Sequence, residues 1–142
     1  MKRSLIAAAL IGLGLLAVTG VASAQVRADM GRLEYEANCA ACHGAGGKGD
    51  GYYTKVINAK VPDITTIAKR NGGVFPVEKV MMLIDGREVP PAHGVRQMPI
   101  WGIDYSLKSA DLYKNFPTHD PETYVRVRIL ALVDYLYLMQ GR

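Results

Sequence analysis

The only two cysteines of this chain, Cys39 and Cys42, are separated by two residues, and His43 follows at once in the sequence CAACH. Two thiols and an imidazole at this spacing are typical of a redox dithiol, part of a zinc site, or an attachment point for a larger group. A thioredoxin-like dithiol would accompany a βαβ pattern, which the sequence lacks. A zinc site needs four ligands, and although His93 and His119 are available, no second closely spaced pair exists. Both of these sites are therefore disfavoured.

Covalent attachment of a haem accounts for both thiols and the imidazole. Residues i and i+3 face the same side of a helical turn, so Cys39 and Cys42 can each form a thioether with one vinyl group of a single porphyrin. His43 then lies under the ring, where an imidazole nitrogen can bind the iron. C-x-x-C-H is the signature of such c-type attachment. The sequence predicts one haem c, held through two thioethers, with His43 as an iron ligand.

A second axial ligand is expected from the loop that contains RQMPIWG. Haem iron that transfers electrons usually takes Met or His in this position. Met98 lies in that loop, and Pro99 stiffens the turn after it. The other methionines lie in the leader, beside the haem-binding helix, or in apolar helical segments where packing explains them. Met98 is the predicted sixth ligand, and His93 is the alternative.

The loop at residues 44–51, GAGGKGDG, matches a G-x-G-x-x-G pattern at Gly44, Gly46 and Gly49. A dinucleotide site needs a strand before these glycines and a helix after them. Here a helix is predicted before the loop and irregular chain after it, which is the wrong order. The glycines therefore predict a loop whose backbone passes close to a bulky object, and no nucleotide is expected.

Helices are expected at three main places. The first covers residues 29–42, begins at Asp29 as a cap, and places Gly31, Tyr35 and Cys39 on one face. The second covers 76–85. The third begins at Asp120 and Pro121 and carries an apolar stripe at helical spacing, formed by Val125, Ile129, Leu132, Leu136 and Met139. A short helix at 109–115 and loops at 44–65 and 86–103 complete an all-α chain with long loops.

The first 24 residues have the layout of a secretory signal peptide. Lys2 and Arg3 precede an apolar run from Leu5 to Val18, and Ala22-Ser23-Ala24 resembles a cleavage site. Cleavage would leave residues 25–142 as one domain. The apolar run is short for a spanning helix, so export is expected, with a membrane-anchored form as the alternative.

The charge balance argues against a polyanionic partner. The formal net charge of +4 falls by two when Lys2 and Arg3 are removed, and so small a value does not indicate nucleic acid or an anionic lipid surface. No nucleic-acid partner is expected, and contact with a membrane is expected only through partner complexes.

Over about residues 29–140 the chain resembles the single-haem class I cytochromes c of bacteria. The resemblance rests on CAACH, on MPIWG and on the helix-contact residues. It implies the small cytochrome c fold, in which Gly31 and Tyr35 on the N-terminal helix cross Leu132 and Tyr135 on the C-terminal helix while long loops wrap one haem. It also implies that the Pro62 carbonyl accepts a hydrogen bond from the ligand histidine and that Trp101 packs near the haem.

The function that this resemblance implies is one-electron transfer in the periplasm, with His43 and Met98 as axial ligands and redox proteins as partners. Lys48, Lys55 and Lys60 would surround the docking face and attract an acidic partner. Two alternatives remain: a haem enzyme or gas-binding protein whose sixth site is open or His-ligated, and an electron-transfer subunit of a dehydrogenase complex. In the second, the long segment 102–119 would contact the partner.

Overall fold

A computed structural model describes residues 25–57, 60–87, 98–116 and 118–141. The predicted signal peptide and His93 lie outside these ranges. The described residues contain helices and no strand, which confirms the all-α prediction. The helices are α1 (25–38), α2 (Ala40–His43), α3 (Thr54–Ile57), a 3₁₀ turn (Ile64–Thr66), α4 (Ile67–Arg70), α5 (Val77–Asp85), α6 (Trp101–Leu112) and α7 (Pro121–Leu138).

None of the helices within these ranges has both the length and the apolar character that a bilayer-crossing segment needs.

The C-terminal helix α7 forms as its sequence predicts. Pro121 is its first residue, and the Asp120 carboxylate accepts hydrogen bonds from the backbone N–H groups of Glu122 and Thr123, which would otherwise lack partners. The whole predicted stripe is buried, from Val125 to Met139. This face packs against α1, α5 and α6, so α7 is the central helix of the core.

The cap at Asp120 predicts a pH-dependent stability. The Thr123 hydroxyl and the backbone N–H of Glu122 lower the pKa of Asp120, so its stabilisation is fully present above the ordinary aspartate value of ~3.9 and is lost as the pH falls through the lower folded-state value. Asp120→Ala should therefore lower the melting temperature near neutral pH, and the difference from wild type should disappear in acid. Melting curves across pH measure this effect. The control is Asp111→Ala, which removes an exposed carboxylate of α6. A difference that persists unchanged in acid would contradict the prediction.

The two terminal helices cross at Gly31. A Cβ atom at this position would overlap the backbone carbonyl of Ala131 and lie 2.9 Å from the Cβ of Tyr135. One turn further along, the rings of Tyr35 and Tyr135 lie 5.4 Å apart at 51°, and Leu132 is buried beside them. Close contact of backbones requires a residue without a side chain, and the predicted crossing of the N- and C-terminal helices is confirmed.

Several predicted boundaries are wrong. The chain is already helical at residue 25, so Asp29 lies within α1 and does not cap it, and the helix is interrupted at Cys39 before α2 begins. The short helix α3 lies within the loop predicted at 44–65. The helix α6 runs from Trp101 to Leu112, where the sequence predicts a loop up to residue 103 and a short helix only at 109–115. Since apolar residues lie on both faces of α6, with Tyr105 buried and Leu107 exposed, its sequence lacks a clean helical period.

The helix α5 follows the prediction closely. Pro76 precedes its first residue, and Gly86 follows its last residue in the left-handed conformation, with φ 73°. Arg87, directly after it, binds the carboxylates of both Asp85 and Glu122 at 2.7 and 2.6 Å. This arginine joins the end of α5 to the beginning of α7 through two ion pairs.

Candidate functional site

The CAACH motif forms a single helical turn, α2. The backbone N–H groups of Cys42 and His43 donate to the carbonyl of Cys39, at 3.1 and 2.8 Å. Both cysteines are free and partly buried, and burial raises the pKa of the Cys39 thiol to about 12. The two thiols therefore lie unpaired on one turn, with the imidazole at its end.

A cavity of about 350 Å³ lies beside this turn, within the ~300–1,000 Å³ range of small-molecule sites. Cys39, His43, Pro62 and Met98 all line it. Its walls are otherwise mainly apolar, formed by Ile64, Ile67, Val80, Leu83, Ile84, Leu132 and Leu136. The fold thus brings together, in one apolar space, four of the six predicted site residues, which are up to 59 positions apart in sequence.

The His43 ring is held in a neutral state. Burial is the main cause that lowers its pKa, and the Pro62 backbone carbonyl opposes this by raising the pKa as a hydrogen-bond acceptor would. The contact falls short of a regular hydrogen bond, because Nδ1 is buried without a partner at ordinary distance and angle. Neutral imidazole is the form that binds metal, and the hydrogen bond from His43 to the Pro62 carbonyl remains a prediction.

The other two predicted residues lie away from the cavity wall. Cys42 is partly buried on the same turn but does not line the cavity. Trp101 packs against the core, and its ring lies 6.2 Å from that of Tyr105 at 34°. Here Trp101 acts as a core aromatic, and its contact with a haem remains a prediction.

Hydrogen bonds to backbone carbonyls hold the CAACH turn, α2, from two sides. The buried Tyr35 hydroxyl donates to the carbonyl of Gly44 at 2.6 Å, and burial raises the pKa of this phenol, which keeps it a donor. From the other side, the N–H groups of Gly51 and Tyr53 donate to the carbonyls of Cys42 and Ala41, at 3.2 and 2.9 Å. The residues between these anchors form the glycine loop.

The glycine loop lies against the segment that contains Val61 and Pro62. Gly49 has φ 78°, and a Cβ there would overlap the Val61 carbonyl, so only glycine lets the loop reach the segment that contains Pro62. Its N–H donates to the carbonyl of His43 at 2.9 Å. The loop therefore links His43 to the segment that contains Pro62, while its close approach to a bulky object remains a prediction.

Cationic groups that sequence reasoning missed lie at the cavity. Arg70 and Lys79 line it, together with Asn71. They belong to α4, α5 and the segment between them, so nothing in their sequence spacing marks them as neighbours of the CAACH motif. The lysines that were singled out lie elsewhere: Lys55 and Lys60 are exposed, and Lys48 binds Thr65 at 2.7 Å; none of the three lines the cavity.

The residues present suit a c-type haem. Two free thiols on one turn can form the thioethers, and the buried, incompletely bonded imidazole of His43 and the thioether of Met98 are suitable iron ligands. The apolar walls would exclude water, and Arg70 and Lys79 can pair with the two carboxylate groups of the porphyrin.

A larger cavity of about 510 Å³ lies between α5 and α7, and none of the predicted site residues lines it.

Comparison with known proteins gives one match. The family described as Cytochrome c matches residues 28–114, a range that includes CAACH, Met98 and α6 but ends before α7. No curated protein and no solved structure was found to match the chain.

Proposed function

Because this chain belongs to the cytochrome c family and therefore carries a covalently bound c-type haem, we propose that it transfers single electrons between redox proteins, with His43 and Met98 as the axial ligands. The observation that supports this most directly is the shared cavity of Cys39, His43 and Met98. The bound haem supplies a one-electron change between the ferric and ferrous states of its iron.

The residues of this chain would hold the haem and control its surroundings. Cys39 and Cys42 would attach the haem through thioethers, and His43 and Met98 would supply the ligands of its iron. The apolar side chains of α5 and α7 exclude water, which disfavours the extra positive charge of the oxidised state. The crossed helices α1 and α7 keep this wall rigid, so little rearrangement accompanies the gain or loss of an electron.

The proposed location is the periplasm. A cytochrome c domain fits an exported protein, since haem attachment of this type accompanies export, and the residue pattern of 1–24 predicts a cleaved signal peptide. The bacterial origin that a periplasm requires belongs to the same proposal. The mature N-terminus, read by mass spectrometry after expression in a host that attaches haem, would identify the cleavage site and the added mass of the haem together.

A visible spectrum tests the electron carrier against an enzyme or gas-binding protein. With both axial positions filled, the ferric protein should be low-spin with a weak band at the red end of the spectrum, and the ferrous protein should not bind carbon monoxide readily. A high-spin ferric spectrum together with rapid formation of a carbon monoxide adduct would overturn the proposal in favour of an open sixth site.

The second candidate is an electron-transfer subunit of a dehydrogenase complex. The observation that favours it is an exposed apolar stripe on α6, opposite its buried face, in which Ile103 is 48% and Leu107 is 67% exposed. Ile100 extends the stripe to within two residues of Met98, so an apolar partner surface seated here would lie near the haem. Size-exclusion chromatography of the protein from its source distinguishes the two, because a free carrier elutes as a monomer of its own mass.

A further inference from the structure

A partly buried charged pair lies where α1 crosses α7. Glu34 of α1 binds Arg128 of α7 through its Oε1 atom, and the two side chains are 13% and 30% exposed. Its other oxygen, Oε2, accepts hydrogen bonds from the Tyr105 hydroxyl at 2.9 Å and from the Asn38 amide at 3.0 Å. Arg128 is held in turn by Tyr124, whose ring lies 5.1 Å from the guanidinium carbon. Three helices thus contribute to one ionic cluster.

This cluster does not line the haem cavity but is connected to it through neighbouring residues on α1 and α7. Glu34 directly precedes Tyr35, which lines the cavity, and its partner Asn38 directly precedes Cys39, which lines it too. After burial, the charge of Glu34 is the next cause that raises the pKa of the Cys39 thiol, so its field reaches the attachment residue. Arg128 is one turn from Leu132, another wall residue.

Stability alone is a poor explanation for such a pair. Removing two charges from water is costly, and a well-packed apolar pair in the same place is often as stable or more so. Partly buried charges, however, are screened by salt and water much less than exposed ones. A carboxylate beside a haem stabilises the oxidised iron, whereas a guanidinium stabilises the reduced iron.

We propose that Glu34 and Arg128 tune the midpoint potential of the haem, with Glu34 lowering it and Arg128 offsetting that effect across the α1–α7 crossing. The inference rests on the proposed electron-transfer function. Its distinctive consequence is that breaking the same ion pair from its two ends should shift the potential in opposite directions. A merely structural role predicts shifts in one direction, because either break loosens the same crossing and admits water.

The experiment is a redox titration, followed by visible absorption, of the haem-loaded protein and four variants. Glu34→Gln should raise the potential and Arg128→Gln should lower it. Glu36→Gln and Arg32→Gln are the matched controls, since they remove the same charges from a pair on α1 whose side chains are 53% and 47% exposed. Their shifts should be smaller, because charges that are half exposed are screened more strongly by salt and water. Equal shifts in the partly buried pair and the exposed pair, or shifts of one sign for both Glu34 and Arg128, would overturn the inference.

Further variants keep the test decisive if Arg128→Gln fails to fold. Arg128→Lys retains the charge but loses the planar fork of the guanidinium, so it should melt at a lower temperature with an unchanged potential. Glu34→Gln must still raise the potential, and the double variant Glu34→Gln/Arg128→Gln should return close to wild type. A fall in the potential of Arg128→Lys, in parallel with its stability, would assign the pair a structural role. A wild-type protein without any reversible one-electron titration would instead defeat the proposed function.

Discussion

Replacing Met98 with alanine should abolish the weak red band of the ferric protein and lower the midpoint potential by on the order of 0.1 V, within the ~0.8 V span over which axial ligands set haem potentials. Met98 is partly buried, packs against the core and lines the same cavity as His43. A thioether ligand favours the ferrous iron, so its loss should favour the ferric state. Absorption spectra and redox titration of the wild type and the variant measure both effects.

Met82→Ala is the matched control for this substitution. Met82 is 48% exposed on α5 and does not line the haem cavity, so its removal should leave the band and the potential unchanged. If Met98→Ala kept the wild-type spectrum, the sixth ligand would not be Met98, and His93→Ala would then be expected to change the spectrum instead.

Replacing Gly31 with alanine should destabilise the protein by about 2–3 kcal/mol, the magnitude of overpacking in a close-packed interior. At an exposed helical position the same change would be stabilising by about 1 kcal/mol, since alanine is the better helix former. Here the new Cβ would overlap the backbone carbonyl of Ala131, which cannot rotate away as a side chain would. The two helices must therefore separate, and α1 carries the chain directly into Cys39.

Urea unfolding of Gly31→Ala beside Gly46→Ala measures this effect. Gly46 has no positive φ, and a Cβ there would meet only the flexible Lys48 side chain at 3.8 Å, so its substitution should be nearly neutral. If Gly31→Ala proved as stable as the wild type, the close contact of α1 with α7 would be wrong, and with it the geometry that brings Glu34 to Arg128.

Features that depend on neighbours in sequence were predictable. The cap at Asp120, the proline that begins α7 and the glycine that ends α5 each act on backbone groups within a few residues, and all three are present. The sequence predicted only the end of α6, through the short helix at 109–115, because the apolar residues of α6 occupy both its buried and its exposed faces. The crossing of α1 with α7 was predicted from the resemblance, whereas the contact of Gly31 with the Ala131 carbonyl comes from the structure.

The sequence by itself determined the chemistry of this protein: CAACH places two thiols and an imidazole on one turn, and that spacing belongs to the attachment of a haem. The tertiary structure alone decided the electrostatic surroundings, which include Arg70 and Lys79 at the cavity and the pair of Glu34 with Arg128, 94 residues apart. The physical reason is the separation in sequence over which each interaction acts. Covalent attachment and helix capping join residues close along the chain, whereas the field at a buried site sums over every charge that folding brings near.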